Sequence, residues 1–327
     1  MKTLSVFFLI SIITCFHQQS SKNELSNKVF PSIKEKINTE KGIIYLSNNN
    51  GASWNNISNG FPENVMLSDI DINGNIIGVA TKKHSIFFYN FITEKWQTVF
   101  NKPTLVDIDA ILFSEDKIFV GSRGEGIFLS KNSGESWVPF NYGLENLTIR
   151  RLVKHDNTIY ACTNGGLFTL EENSEQWYKE FGDKFLQVNG ITFLDNEVFI
   201  ATNQGGYKTN INQKNWQKMP LDYSFHNISV SGETLYALAY NELFASNDKG
   251  NNWQNDQAGI PKGMYTFQLL QTNNYTLAGQ WDGIYKKDYT TNWIKWNKGL
   301  PTKIPITELK GNENFLVAAS SGWYKGD

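Results

Sequence analysis

Four aspartates stand in two like-spaced pairs, Asp69 with Asp71 in Ser-Asp-Ile-Asp and Asp107 with Asp109 in Val-Asp-Ile-Asp. Residues two apart share one side of an extended strand, so each pair sets two carboxylates together. Carboxylates crowded in this way suit a bound cation or general acid–base work; a wet channel lining, or strand ends bonded to neighbouring backbone, calls for the same residues. Arginine is scarce: of 30 basic residues only Arg123, Arg150 and Arg151 are arginines. Arg150 and Arg151 are adjacent, so strand alternation sends them to opposite faces, and at most two arginines are expected to meet. The histidines His17, His84, His155 and His226 are scattered, and no Cys/His spacing suits zinc. Cys162, in Ile159-Tyr160-Ala161-Cys162-Thr163, reads as a small buried residue. No motif asks for a cofactor.

The elements that must position these residues announce themselves through tryptophan. Trp54, Trp96, Trp137, Trp177, Trp216, Trp253 and Trp293 follow one another at intervals of 42, 41, 40, 39, 37 and 40 residues. A fixed period near 40 marks one supersecondary unit stacked on its copies. Three copies share Ser-x-Asx-x-Gly-x-x-Trp: Ser47–Trp54, Ser130–Trp137 and Ser246–Trp253. The side chain of Asn49, Asn132 or Asp248 can bond the backbone just ahead, and Gly supplies positive φ, so the pattern is a turn leading into a strand. The other four copies keep the Trp and lose the Gly.

This pattern resembles the Asp-box, or BNR repeat, of sialidase-like, sortilin-like and photosystem II assembly factor-like β-propellers. Each period also reads as four short strands, a to d. In the second, these are Val106–Ser114, Lys117–Ser122, Gly126–Ser130 and Ser136–Phe140. Strands b are rich in β-branched and aromatic residues, and tight-turn pairs such as Asn73-Gly74 and Asp195-Asn196 join a to b. The expected fold is therefore all-β, a seven-bladed propeller of four-stranded antiparallel blades. Six full sets run from about Val65 to Trp296, and Pro305–Lys310, Phe315–Ser320 and Gly322–Lys325 supply a, b and c of a seventh. Its d strand is expected from Ser53–Ile57, closing the ring through the N-terminal segment. Gly42–Ser47 and Gly322–Lys325 both read as strand c, which leaves an eight-bladed ring as the weaker alternative.

The chain divides into residues 1–15, 16–41 and 42–327. Lys2 and the apolar run Leu4–Ile13 form an export signal too short to span a bilayer. Ile12-Ile13-Thr14-Cys15 resembles a bacterial lipobox, with Thr14 in place of the commoner Gly or Ala. The resemblance implies lipidation of Cys15 and membrane attachment in the cell envelope; an ordinary secretory signal is the other reading. Residues 16–41 are polar and suit a flexible tether. A formal net charge of −2 gives no electrostatic case for nucleic acid.

Alternation sorts the loops onto two faces. The a–b and c–d hairpins share one, with regular turn-like sequences, and the b–c loops and d–a linkers share the other. Repeat proteins place recognition where repeats diverge. The candidate binding residues are thus in the b–c loops: His84, Arg123, Glu125, Gln204, Tyr240, Trp281 and Asp282. Trp281 stands outside the repeated set and could stack on a sugar or an aromatic side chain; Arg123 and Glu125 could equally pair with each other. Asp69, Asp71, Asp107 and Asp109 lie on strands a, around the central channel. The repeated Trp residues are read as packing between blades, and the linker phrases Asn59-Gly60-Phe61-Pro62, Ala258-Gly259-Ile260-Pro261 and Lys298-Gly299-Leu300-Pro301 as structural turns.

Resemblance to sialidases would imply a substrate carboxylate held by three arginines, with a Tyr–Glu nucleophile and an Asp acid/base. The adjacency of Arg150 and Arg151 and the lack of an Arg-Ile-Pro motif argue against that clamp. Other glycoside chemistry needs two carboxylates, for which the paired aspartates are candidates. Resemblance to assembly-factor and sortilin-like propellers implies a monomeric, non-catalytic scaffold that binds an envelope protein, with glycan binding or hydrolysis as the rival.

Overall fold

The computed structural model describes residues 42–63, 65–82, 85–99, 101–288 and 292–322. Cys15, the polar stretch before residue 42 and His84 lie outside them. All regular structure among the described residues is β, in seven four-stranded antiparallel sheets. The innermost strands are Met66–Asn73, Ile108–Ser114, Ile149–His155, Val188–Leu194, Phe225–Ser231, Gln268–Gln271 and Glu308–Gly311. They touch in cyclic order, the last against the first, so the sheets are blades of a closed propeller.

Burial explains the residue types. The second strand of each blade is covered on both sides by neighbouring blades. Lys117–Ser122, Thr158–Thr163 and Glu197–Thr202 are accordingly buried along all but their first residue. A strand covered on both faces carries a continuous apolar run rather than an alternating one. The outermost strands are short and exposed, as in Val138–Pro139 and Gln217–Lys218, and so present little unpaired edge.

The ring closes through the N-terminal hairpin. Ile44–Ser47 pairs with Leu316–Ala319, from Ile44 opposite Ala319 to Ser47 opposite Leu316, and Asn55–Asn56 pairs outside it. Gly42–Ser47 therefore supplies the third strand of the seventh blade, and most of the competing segment Gly322–Lys325 lies outside the described residues. The amide of Leu67 donates to the Ser321 carbonyl at 3.1 Å, joining the last blade to the first.

Tryptophans wedge the blades apart and pin them together. Trp54, Trp177 and Trp293 are almost wholly buried. Trp96, Trp177 and Trp293 each donate Nε1 to a carbonyl of the preceding blade, at Ile57, Phe140 and Asp256. The linker glycines make this approach possible. A Cβ on Gly143, Gly259 or Gly299 would sit 2.0, 1.9 or 2.0 Å from the carbonyl oxygen of Trp177, Trp293 or Trp54. Nothing but hydrogen fits there.

The three Ser-x-Asx turns share one hydrogen-bond circuit. Ser47, Ser130 and Ser246 donate Oγ–H to Oδ1 of Asn49, Asn132 and Asp248, at 2.8, 3.0 and 2.7 Å. The same hydroxyls accept the amides of Gly51, Gly134 and Gly250. Oδ1 also accepts the amides of Ser53, Ser136 and Asn252. In Asp248 these bonds, with the Asn252 side chain foremost, hold the carboxyl down to about 2. The Ser and Asx side chains of these turns satisfy one another and the local backbone, and they are architecture.

A polar funnel at the divergent face

Each innermost strand starts on the face that carries the b–c loops and d–a linkers. In the first five blades its register against the second strand slips there by one residue. The extra residues are Ser68, Asp109, Arg150, Asn189 and His226. Phe267 and Thr307 hold the matching place in blades six and seven, just ahead of the strand. A bulge frees its residue from strict alternation and re-aims the side chain. All seven line one cavity of about 330 Å³ at the mouth of the channel.

In three blades the bulged side chain is a staple to the next. Ser68 Oγ donates to the Ile108 carbonyl at 2.5 Å, Asn189 Nδ2 to Phe225 at 2.6 Å, and His226 Nε2 to Thr266 at 2.8 Å. Blades two and three depart from this rule. Ionised Asp109 has no hydrogen to donate and instead receives Arg123, Nε to Oδ2 at 2.7 Å and Nη2 to Oδ1 at 3.2 Å. Arg150 has donors, yet Nη1 reaches Asn164 Oδ1 of its own blade at 3.1 Å. These two side chains are released into the funnel.

The following position repeats the contrast. Asp69 Oδ2 accepts the Ile111 amide and Gln268 Oε1 accepts that of Leu309, at 2.9 and 3.1 Å. Arg151 stands at the same place with only donors, and its Nε is buried without a partner. Glu308 stands there in the seventh blade, its Oε2 buried and unpartnered. Burial, reinforced by the charge of Asp69, pushes the Glu308 carboxyl up to about 8, so it holds its proton at neutral pH. Asn189 Oδ1 and His226 Nδ1 are also buried without partners. His226 gives its Nε2 hydrogen to a carbonyl, and burial holds the ring down to about 4, so Nδ1 is a bare acceptor.

All three arginines therefore line one funnel, which corrects the expectation drawn from alternation. The register slip between Ile149 and Arg151 is the reason: Arg150 is the extra residue, so its neighbour need not face the other way. Asp109 is the one carboxylate among the described residues in an ion pair with any of the three.

An aromatic wall stands on the blade five and six side of the same mouth. Tyr265 stacks on His226 at 4.1 Å and meets Phe267 at 4.8 Å. Tyr240 and Trp281 stand edge-on to Tyr265 and Phe267, at 5.9 and 4.8 Å. Tyr240 is 77% exposed and Trp281 54%. On the same face, at or beside the linkers between blades, Met66, Leu105, Tyr142, Leu147, Phe185 and Tyr223 are exposed as well. With Tyr240 and Trp281 they make eight of the twelve large apolar side chains left exposed among the described residues, all on this face.

The remaining sequence candidates disperse. Glu125 accepts the Thr104 hydroxyl and is not the partner of Arg123. Gln204 is exposed, its amide held by Thr202 Oγ1. Asp282 accepts Lys295 Nζ at 2.6 Å and the Tyr285 hydroxyl at 3.2 Å, which ties it into its own blade. The four aspartates are not brought together. Asp69 and Asp71 turn to the next blade, taking the amides of Ile111 and Phe113, and Lys310 pairs with Asp71 at 3.3 Å. Asp109 is held by Arg123, and Asp107 precedes its strand. No group of three or more metal-ligating side chains exists among the described residues. Cys162 is buried, and burial pushes its thiol up to about 12. Asn189, His226, Tyr265, Phe267 and Glu308 escaped the sequence reading. One signal marks the bulge position: it falls 10 to 14 residues after each repeated Trp.

No family model matches the chain, and no curated protein matches it. Solved structures do. The extracellular domain of the putative one component system BT4673 from B. thetaiotaomicron superposes with a TM-score of 0.65 at 14% identity, over 80% of this chain and 38% of that one. YCF48 bound to a D1 peptide gives 0.63 at 11% identity, over 79% and 93%. BamB from Moraxella catarrhalis gives 0.55 at 14% identity, over 78% and 85%. At such identities the likeness shows one thing, the β-propeller fold.

Proposed function

We propose that this protein is a non-catalytic cell-envelope scaffold whose divergent face binds a protein partner. The observation that carries the reading is that eight of the twelve exposed large apolar residues stand on the face that holds the funnel, against four elsewhere among the described residues. Scattered surface hydrophobics need no explanation, but a concentration on one face marks an interaction surface. YCF48, a propeller of similar shape, has been seen with a peptide bound. The Asp-box turns, the lipobox-like Ile12-Ile13-Thr14-Cys15 and the polar tether complete the proposal: a BNR-type ring held to the membrane by a lipid on Cys15.

The test compares two sets of charge insertions. Phe185→Glu with Tyr240→Glu changes the divergent face; Ile92→Glu with Tyr178→Glu changes a hairpin and an outer strand. Cross-linking in envelope membranes is expected to yield one stoichiometric partner with wild type and the second set, and to lose it with the first. Equal yields in both sets, or none with wild type, would overturn the reading. Mass spectrometry of the mature N-terminus checks the anchor, where an unlipidated Cys15 rules it out. A second reading, glycan binding, has Trp281 in its favour; retention on a glycan array that Trp281→Ala abolishes would establish it.

A further inference from the structure

The funnel is built unlike a resting channel lining. Arg150 and Arg151 enter it with no carboxylate partner, where other blades spend the same two positions on stapling to their neighbours. Partly buried guanidinium groups outside any ion pair are costly, even with Asp109 and Asp69 near enough to act on them, and they persist where an anion supplies a direct partner. The unpartnered atoms around them are of both kinds: Arg151 Nε donates, while Asn189 Oδ1 and His226 Nδ1 accept. A bare inorganic anion would leave those acceptors empty. An occupant that satisfies both carries an anionic group beside N–H or O–H donors and an apolar body for the Tyr265–Phe267 wall. An extended peptide has all three: backbone amides, apolar side chains and a carboxylate.

Resting on the proposed protein-binding role, we infer that the funnel is the anchoring site for a carboxylate borne by an extended segment of the partner. That carboxylate takes Arg150 and Arg151, neighbouring backbone amides go to Asn189 Oδ1 and His226 Nδ1, and adjacent apolar side chains meet Phe267 and Tyr265. Arg123 is a positioning residue, since Asp109 already holds it.

A randomised nine-residue peptide library, N-acetylated and C-amidated, panned on the purified full chain tests this. A second library with free C-termini separates side-chain from chain-terminal carboxylates. Enrichment of Asp or Glu in the first, or recovery only from the second, would each support the inference and name the source. Replacing Arg150 and Arg151 by Gln is expected to weaken the recovered peptides on the order of 30-fold or more. Arg123→Gln should change them far less. Thermal melting verifies that each variant is folded. Peptides without acids, bound equally by the double variant but lost with Phe185→Glu, would sink this inference and leave the protein-binding reading standing. No peptide recovered from either library would count against both. Binding of sodium glucuronate that excludes every peptide would overturn it in favour of a sugar acid.

Discussion

The two faces of the ring use polar side chains in opposite ways. On the hairpin face, Ser, Asn and Asp close circuits within eight residues, and little is left for an outside molecule. At the funnel, Arg, Asn, His and Glu keep buried atoms without partners. A polar group that completes itself locally is architecture, and one that stays incomplete at a channel mouth is waiting for something. Substitutions should therefore separate: those at blade interfaces and turns lower stability, and those at the funnel spare it.

The largest effect is expected at Trp177, buried between blades with its indole N–H on Phe140. Trp177→Ala should cost about 3–5 kcal/mol by denaturant unfolding. On the other side of the comparison, Trp281→Ala should stay within about 0.5 kcal/mol, because its exposed indole is not part of the core. A loss above 2 kcal/mol at Trp281 would make it a packing residue and undo the contrast.

Gly259 comes next. Its φ of +97° is one that side chains rarely adopt, and a Cβ would meet the Trp293 carbonyl at 1.9 Å. Gly259→Ala should lower stability by about 2 kcal/mol or more, from backbone strain and displacement of the next blade. Asn132→Ala, which removes an acceptor of two bonds in an exposed turn, should cost about 1 kcal/mol. If the alanine at 132 melts with wild type, the circuit is ornament.

Most of the fold was legible and most of the funnel was not, for a single physical reason. The tryptophans recur because every interface needs the same wedge, and Asn-Gly turns recur because few residues adopt positive φ; identical demands leave identical letters. Even the closing hairpin followed from counting strands. A bulge leaves no letter of its own. Ser68, Asp109, Arg150, Asn189 and His226 have nothing in common chemically, because what they share is a slip in hydrogen-bond register. Counting by twos across that slip sent Arg150 and Arg151 apart and kept a three-arginine funnel out of view. Glu308 was invisible too, since its burial depends on a ring closure that brings its strand against the first blade, with Lys310 meeting Asp71 239 positions away.

The subtlest test uses protons. Glu308 is buried with its carboxyl raised to about 8, from an ordinary value of 4.5. Between those values the folded chain holds a proton that the unfolded chain has released. Stability contributed by this group is therefore full below about pH 4.5 and declines as pH rises through about 8. His226 runs the other way: its folded value, about 4, lies below 6.5, so stability falls as pH drops through that window. Thermal melting of wild type should accordingly decline from pH 7 towards pH 9. Glu308→Gln keeps the shape and cannot ionise, so its melting curve should be flatter over that range, while below pH 6 the His226 loss, which Glu308 offsets in wild type, should emerge. Parallel profiles for the two proteins above pH 7 would mean that Glu308 is already charged in the folded ring, paired with Arg151, and the funnel would hold one free guanidinium fewer.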